Sequence, residues 1–173
     1  DVIVIGGGPI GSIASLLLDA RGLNVALIER NTVPYPFPRA IALNGFSMGL
    51  VKELLGPELW SEFEFTPAIH VSYSLNKDKM DEPFGLMQPP VIDGKILDND
   101  SFGFLSWFNQ PQLEGLLRKS IEARDGITTL YGHEALVLWE DNLNFVKVNY
   151  SYRGRMVCEL KIQLGSQRNI FYY

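Results

Sequence analysis

Residues 1–30 read DVIVIGGGPIGSIASLLLDARGLNVALIER and carry the clearest structural pattern of the chain. Val2-Ile3-Val4-Ile5 is a continuous β-branched run, which is typical of a strand buried on both faces of a parallel sheet. Residues 9–21 predict a helix, with Gly22 as its C-cap. Residues 25–29 predict a second strand that is apolar until its last residue. The stretch therefore predicts a strand–helix–strand unit of the length found in α/β proteins.

A glycine-rich turn connects the first strand to the helix. It consists of Gly6, Gly7, Gly8, Pro9, Ile10 and Gly11. The GxGxxG pattern places Gly6 at the tight turn, Gly8 where a pyrophosphate approaches the backbone, and Gly11 where helix and strand pack closely. The helix N-terminus adds unpaired N–H groups and a positive dipole end. The pattern predicts a Rossmann-like dinucleotide site, and the alternative of a turn that merely packs tightly is disfavoured by its place between strand and helix.

An acidic residue follows at the spacing that this fingerprint requires. Glu29 ends the second strand, 21 residues after Gly8. A carboxylate there accepts hydrogen bonds from the ribose hydroxyls of an adenosine. The same negative charge disfavours the 2′-phosphate of NADP in this pocket, because like charges repel.

Composition excludes several other classes of protein. The chain has 173 residues, 46% of them hydrophobic and 20% charged, with a net charge of −5. The apolar runs are far shorter than the about 20 residues that span a bilayer, and scattered basic residues do not form a nucleic-acid-binding surface. One cysteine and two histidines provide neither a disulfide framework nor a multi-cysteine metal site, so we expect no metal.

The rest of the chain predicts an added β-rich region. Three prolines in residues 31–40 favour an extended loop. Asn44 is expected to cap a helix over residues 45–55 that stops at Gly56-Pro57. We expect a strand at 68–75, loops at 76–100, a helix from Gln110 to Arg124, and strands at 127–131, 134–140, 143–151 and 156–163, with a turn at 152–155.

Two further segments carry a family resemblance. They are Pro38-Arg39-Ala40 and Phe108-Asn109-Gln110-Pro111-Gln112-Leu113-Glu114. Together with the glycine motif, they make the chain resemble the FAD-dependent aromatic hydroxylases, the single-component flavoprotein monooxygenases of the p-hydroxybenzoate and phenol hydroxylase type. The resemblance covers roughly residues 1–160 and concerns the N-terminal FAD-binding part of that family.

The resemblance implies roles for particular residues. Arg39, beside Ala40, would contact the FAD pyrophosphate, as suits a guanidinium. Gln110 would bond to the ribityl or phosphate region, Arg30 would lie against the adenosine, and the backbone around Ala135 would form part of the adenine wall. The simpler alternatives are a surface charge for Arg39 and an ordinary polar helix start for Gln110.

The resemblance also implies an activity. It is hydroxylation of a phenol-like aromatic substrate with O2, with tightly bound, non-covalent FAD and with NADPH or NADH as co-substrate. A cytoplasmic location and a homodimer are compatible with it. Residues 1–173 would form an FAD-binding domain, with part of the substrate-domain sheet in 66–105. No side chain is predicted to be catalytic, because flavin does the chemistry in this family.

One departure keeps alternatives open. The family carries a second glycine-rich fingerprint with an Asp-Gly pair, but Gln167 and Arg168 stand at its place. The chain starts directly on a strand, and its last residues carry no cap, so we expect an incomplete domain of a longer protein. The alternatives are an NAD-linked oxidoreductase and a fragment that binds nucleotides weakly or not at all and catalyses nothing.

The remaining conspicuous residues favour structural roles. They are His70 and Cys158, expected to be packed; His133, expected at a solvated strand start; Phe102, Phe104, Trp107 and Phe108, expected in the core; and Asp98, Asn99 and Asp100, expected in a solvated turn.

Overall fold

The computed structural model of the chain describes residues 1–37, 39–68, 71–73, 85–87, 91–92, 95–96, 105–140, 145–153 and 155–163. It divides into two compact units, one formed by Asp1–Phe37 with Pro111–Tyr173 and the other by Pro38–Gln110. The helices are α1 (Pro9–Asp19), α2 (Gly45–Glu62) and α3 (Gln110–Glu122). The strands are β1 (Val2–Ile5), β2 (Val25–Glu29), β3 (Ala42–Asn44), β4 (Phe65–Ala68), β5 (Val71–Tyr73), β6 (Gly85–Met87), β7 (Val91–Ile92), β8 (Lys95–Ile96), β9 (Leu105–Phe108), β10 (Ile127–Tyr131), β11 (His133–Glu140), β12 (Phe145–Tyr152) and β13 (Arg155–Gln163).

A parallel sheet forms the centre of the first unit. Its order is β1–β2–β10, and both Val2 and Ile127 align with Val25. Helix α1 packs against all three strands. Val4 and Leu27 are fully buried, as expected for the apolar strands of a parallel sheet. The predicted strand–helix–strand unit is confirmed.

The third parallel strand comes late in the chain. Between β2 and β10 the chain forms the whole second unit and then α3. The residues after β2 therefore form no immediate third strand, as the proline-rich sequence predicts. Such a strand is nevertheless present, because residues 127–131 pair with β2.

An antiparallel meander, β11–β12–β13, adds the predicted β-rich region to the first unit. Val148 of β12 is fully buried and packs in one cluster with Ile28 of β2. The pairing of β11 shifts between Ala135 and Val137, so Leu136 is the extra residue of a β-bulge. The meander thus packs against the parallel sheet near the carboxyl end of β2.

The second unit contains α2 and the antiparallel sheet β3–β9–β4. The Asn44 side chain accepts the N–H of Ser47 at 2.8 Å, which confirms the predicted cap. Gly56 breaks the helix with φ 71° and ψ 173°, but the chain resumes helical turns to Glu62. The break is therefore where the sequence predicts it, and the predicted end is wrong.

An aromatic cluster packs in the second unit. Trp60, Phe63 and Phe65 have ring centroids 5.2–5.8 Å apart, and Phe108 lies 6.2 Å from Phe63. Phe108 is thus packed as expected, whereas Trp107 is 38% exposed, because alternate residues of a strand point to opposite faces.

Other boundaries differ modestly from the prediction. Helix α1 ends at Asp19 and α3 at Glu122, each two residues early. Because α1 ends early, its C-cap is Ala20 rather than the predicted Gly22, and Gly22 adopts a left-handed conformation with φ 79° in the turn that follows. The expected strand at 68–75 is two strands, β4 and β5, and short strands interrupt the expected loops of 76–100. The expectations for His70, Asp98, Asn99, Asp100, Phe102, Phe104 and residues 164–168, and for the Cys158 side chain, lie outside the described residues. In the part of the chain that the structure describes, no helix has the length and apolarity to cross a membrane.

Candidate dinucleotide-binding site

The glycine loop lies between the end of β1 and the start of α1. Gly6 has φ 102°, which only glycine adopts easily, and its N–H bonds to the carbonyl of Ile28 at 2.8 Å. A Cβ on Gly11 would collide with the carbonyl oxygen of Gly6. The outer two glycines of the motif are therefore required by the folded chain itself.

Gly8 differs from both of them. It caps α1 with φ −72° and ψ −173°, a conformation open to any residue, and a Cβ there would meet no atom of the chain within 4 Å. The first-turn N–H groups of an α-helix lack intrahelical acceptors. The protein thus keeps open space at the N-terminus of a helix, which is where a phosphate binds in this type of motif.

Glu29 connects the loop to the end of β2. Its side chain is 9% exposed, and its Oε2 accepts the N–H of Gly7 at 2.7 Å. Its Oε1 accepts the N–H of Asn31, also at 2.7 Å. A Cβ on Gly7 would lie 2.8 Å from Cβ of Glu29. The close packing of Glu29 therefore requires a glycine at Gly7. The two hydrogen bonds also hold the carboxylate of Glu29 in one orientation.

Small polar residues line the inner face of α1. Ser12 and Ser15 are buried, and their hydroxyls donate to the carbonyls of Gly7 at 3.2 Å and Gly11 at 2.8 Å. These bonds satisfy buried hydroxyl groups and stabilise the loop. Ile10, by contrast, is 56% exposed in the first turn.

A cavity of about 480 Å³ lies in the first unit, near the ends of β2 and β10. It is lined by Arg30, Asn31, Thr32, Gly132, Glu134, Ser151, Tyr152 and Arg153. Arg30, which the resemblance predicts to lie against the adenosine, thus lines this cavity. Ala135 follows the lining residue Glu134 and packs on the cluster of Ile28 and Val148.

Sequence reasoning missed a buried arginine behind this cavity. Arg118 of α3 is 7% exposed, and its Nη1 donates to the carbonyl of Thr32 at 2.8 Å. Its guanidinium lies over the ring of Tyr131, 4.3 Å from the centroid. Arg118 Nε and the Tyr131 hydroxyl are buried without a hydrogen-bond partner among the described residues. The signal available in the sequence was an arginine next to the apolar stripe of α3.

Burial raises the pKa of Tyr131. The Arg118 guanidinium opposes this shift, while the carboxylates of Glu122 and Glu29 add to it. Tyr131 is thus a half-buried residue whose hydroxyl is buried and whose pKa lies above its ordinary value.

His133 begins β11 as expected, but it is half-buried against two tyrosine rings rather than fully solvated. Its ring stacks on Tyr152 with centroids 4.8 Å apart and meets Tyr150 edge-on at 5.4 Å. Its neighbour Glu134 is exposed. The strand pairing explains the difference, because His133 lies directly opposite Tyr152.

In the second unit, Gln110 holds the segment that carries Arg39. Gln110 is buried, and its Oε1 accepts the N–H groups of Arg39 at 2.9 Å and Ala40 at 2.7 Å. The side chain of Arg39 is exposed. The structure thus brings together the two sequence segments of the resemblance, and the roles of all three residues toward a cofactor stay predictions.

Comparison with known proteins identifies the dinucleotide. The family described as "FAD binding domain" matches residues 1–155. The chain belongs to the FAD binding domain family. FAD is thus the cofactor of this domain, and the NAD-linked alternative has no support from the match.

Two curated relatives are, by name, a hydroxylase and a monooxygenase. The chain is 29% identical over 141 residues to a 3-(3-hydroxy-phenyl)propionate/3-hydroxycinnamic acid hydroxylase of Burkholderia vietnamiensis, covering 77% of the chain and 20% of that protein. It is 24% identical to pentachlorophenol 4-monooxygenase of Sphingobium chlorophenolicum, covering 81% of the chain and 24% of the relative. The chain thus spans about a fifth to a quarter of the length of these relatives.

Solved structures share the fold. The p-nitrophenol 4-monooxygenase PnpA of Pseudomonas putida superposes with a TM-score of 0.70 at 17% identity, over 92% of this chain and 38% of that one. The flavin-dependent monooxygenase PieE, solved with FAD and substrate, gives 0.68 at 22% identity, over 94% and 28%. The predicted Rossmann-like FAD-binding fold is confirmed.

Proposed function

We propose that the glycine loop and Glu29 bind the ADP half of FAD, and that the whole protein is an NAD(P)H-dependent aromatic hydroxylase. The observation that carries the proposal is the open space at Gly8. The fold itself requires glycine at Gly6, Gly7 and Gly11, but not at Gly8. A pyrophosphate bound against the N-terminus of α1 would explain the glycine at that position.

The residues of the first unit fit the cofactor. The first-turn N–H groups, including that of Ile10 beside Pro9, would face the pyrophosphate. Glu29, fixed by two backbone N–H groups, would accept the ribose hydroxyls with its remaining lone pairs. Arg30 and the backbone at Ala135 would border the adenosine in the cavity of about 480 Å³.

Bound flavin supplies the redox chemistry, in which one atom of O2 enters the aromatic ring and NADPH or NADH provides two electrons. The chain's residues then bind and orient the cofactor. Phenols are the proposed substrate class, because the names of both curated relatives and of PnpA refer to phenolic compounds. A cytoplasmic location and a homodimer belong to the same proposal.

Two measurements on the purified protein test the proposal. The first is a flavin absorption spectrum and a Kd for FAD, determined by quenching of flavin fluorescence. The second is oxidation of NADPH and NADH with 3-(3-hydroxyphenyl)propionate, p-nitrophenol and pentachlorophenol, with the hydroxylated product identified by mass spectrometry. A chain that ignores FAD would overturn the binding proposal. A protein that binds FAD but gives no phenol-dependent turnover would overturn the hydroxylase proposal alone.

A further inference from the structure

We propose that Arg153, which lines the cavity of about 480 Å³, is a further binding residue for the adenosine end of FAD. The inference rests on the proposed function, because it takes FAD as the ligand. It adds a residue that neither the glycine motif nor the family resemblance assigns.

The backbone at Arg153 is the first observation. Tyr152 ends β12 and pairs with Arg155, the first residue of β13, so Arg153 opens a two-residue hairpin loop. Its φ is 50°, and it is the one non-glycine residue with positive φ among those that the structure describes. Two-residue hairpins strongly prefer Asn or Gly at such a position. The turn alone would be better served by either, so the arginine has another use.

The support under the guanidinium is the second observation. The guanidinium of Arg153 lies over the ring of Tyr152, 5.3 Å from its centroid. That ring stacks on His133 at an interplanar angle of 26°. It also packs close to Gly132, where a Cβ would lie 3.4 Å from Tyr152 Cε2. The ring is thus held in place, and it limits the positions that the guanidinium can take.

The charge around the cavity is the third observation. Arg30 and Arg153 both line it, and Glu134 is the acidic residue of the lining. Asn31 and Ser151 add uncharged polar groups that can meet the edge of a base. Guanidinium planes stack on purine faces. A cavity lined by Arg30, which follows β2, and Arg153, which follows β12, therefore fits an adenine ring.

Arg153→Asn is the decisive variant, because Asn suits the left-handed turn and removes the guanidinium. We expect its melting temperature to equal or exceed that of the wild type. We expect the Kd for FAD to rise roughly 3- to 30-fold, the range of a cation–π contact. ADP, which carries the adenosine, should lose affinity by the same factor, and FMN, which lacks it, should bind as before.

Arg155→Gln is the matched control. It removes the same charge two residues away, from a residue that does not line the cavity. The Kd values for FAD and for ADP should therefore stay unchanged in this variant. Arg153→Asn binding FAD as tightly as the wild type would overturn the assignment of Arg153 alone. An equal loss for FAD and FMN would also overturn it, since that pattern indicates general damage. A wild type that does not bind FAD would overturn the proposed function, and this inference with it.

Discussion

Replacement of Gly8 by valine should affect FAD binding without affecting the stability of the fold. The new side chain would stand in open space, because no atom of the chain lies within 4 Å of the Cβ position. The backbone angles, φ −72° and ψ −173°, suit any residue. Gly8→Val should therefore fold normally, and its branched side chain should occupy the space proposed for the pyrophosphate.

The magnitudes follow from this geometry. A non-glycine residue reduces the entropy of the unfolded chain by about 0.4–1 kcal/mol, and a poorer N-cap costs a similar amount, so the free energy of unfolding should change by less than about 1 kcal/mol. Loss of two charge-assisted hydrogen bonds to the pyrophosphate costs roughly 3–6 kcal/mol. The Kd for FAD should therefore rise roughly 10²- to 10⁴-fold.

The matched comparison is Gly11→Ala, a smaller change at the same motif. Its Cβ would collide with the Gly6 carbonyl, and the backbone has little freedom to move, so we expect a loss of about 3 kcal/mol in unfolding free energy. Urea unfolding of the apoprotein and flavin fluorescence titration measure the two quantities. A Gly8→Val protein that binds FAD normally would refute the assignment of the loop. A Gly8→Val protein that is as destabilised as Gly11→Ala would show that the fold itself requires Gly8. That result would refute the claim that the open space beside Gly8 serves the ligand alone.

Three further predictions concern buried polar groups. Glu29→Gln should lower the unfolding free energy by about 1–3 kcal/mol, because an amide NH2 must face one of the two N–H donors; urea unfolding measures this, with the exposed Glu134→Gln as control. Gln110→Leu should lower the unfolding free energy by about 1–3 kcal/mol, because the N–H groups of Arg39 and Ala40 lose their acceptor; Gln110→Glu, which keeps an acceptor, should lose less, and equal losses in urea unfolding would contradict this reasoning. Tyr131→Phe should raise the unfolding free energy by about 1 kcal/mol, since the hydroxyl is buried without a partner among the described residues. Because the folded-state pKa of Tyr131 is raised, the wild type should also lose stability as pH rises above about 10, the unfolded-state value, and the phenylalanine variant should lose less.

The elements that carry strong local signals were predictable from sequence. The β-branched run of β1, the glycines around α1 and the Asn44 cap each act over a few residues, so their patterns report the structure directly. The end of α2 was not predictable in the same way. Gly56 and Pro57 do break the helix, but packing of Trp60 against Phe63 and Phe65 favours another turn of helix that local propensity does not indicate.

The candidate site was predictable only where a motif fixes the spacing. Glu29 was found because the fingerprint places an acid there, but its bonds to Gly7 and Asn31 depend on the folded loop. Arg118 and Arg153 have no motif. The contacts of Arg118 with Thr32 and Tyr131 depend on the pairing of β10 with β2. Arg153 contacts its own neighbour Tyr152, and the pairing of β11 with β12 places His133 against that ring.

The strand β10 lies about one hundred residues after its partner β2 in the sequence. This separation explains why the first thirty residues could be predicted from sequence and the cavity could not. A parallel strand needs a crossover connection, and here that connection contains the whole second unit before α3 leads back to β10. The first thirty residues contain both β1 and β2, which pair with each other. Their sequence pattern is therefore enough to predict this part of the sheet. The cavity wall, by contrast, combines Thr32 with Gly132, one hundred residues later, and the Gly132 position is constrained by Thr32 Cγ2 3.0 Å from where its Cβ would be. The requirement for glycine at position 132 can therefore be recognised only in the folded structure, where the ends of β2 and β10 lie side by side. Arg153, in the turn after β12, lines the same cavity.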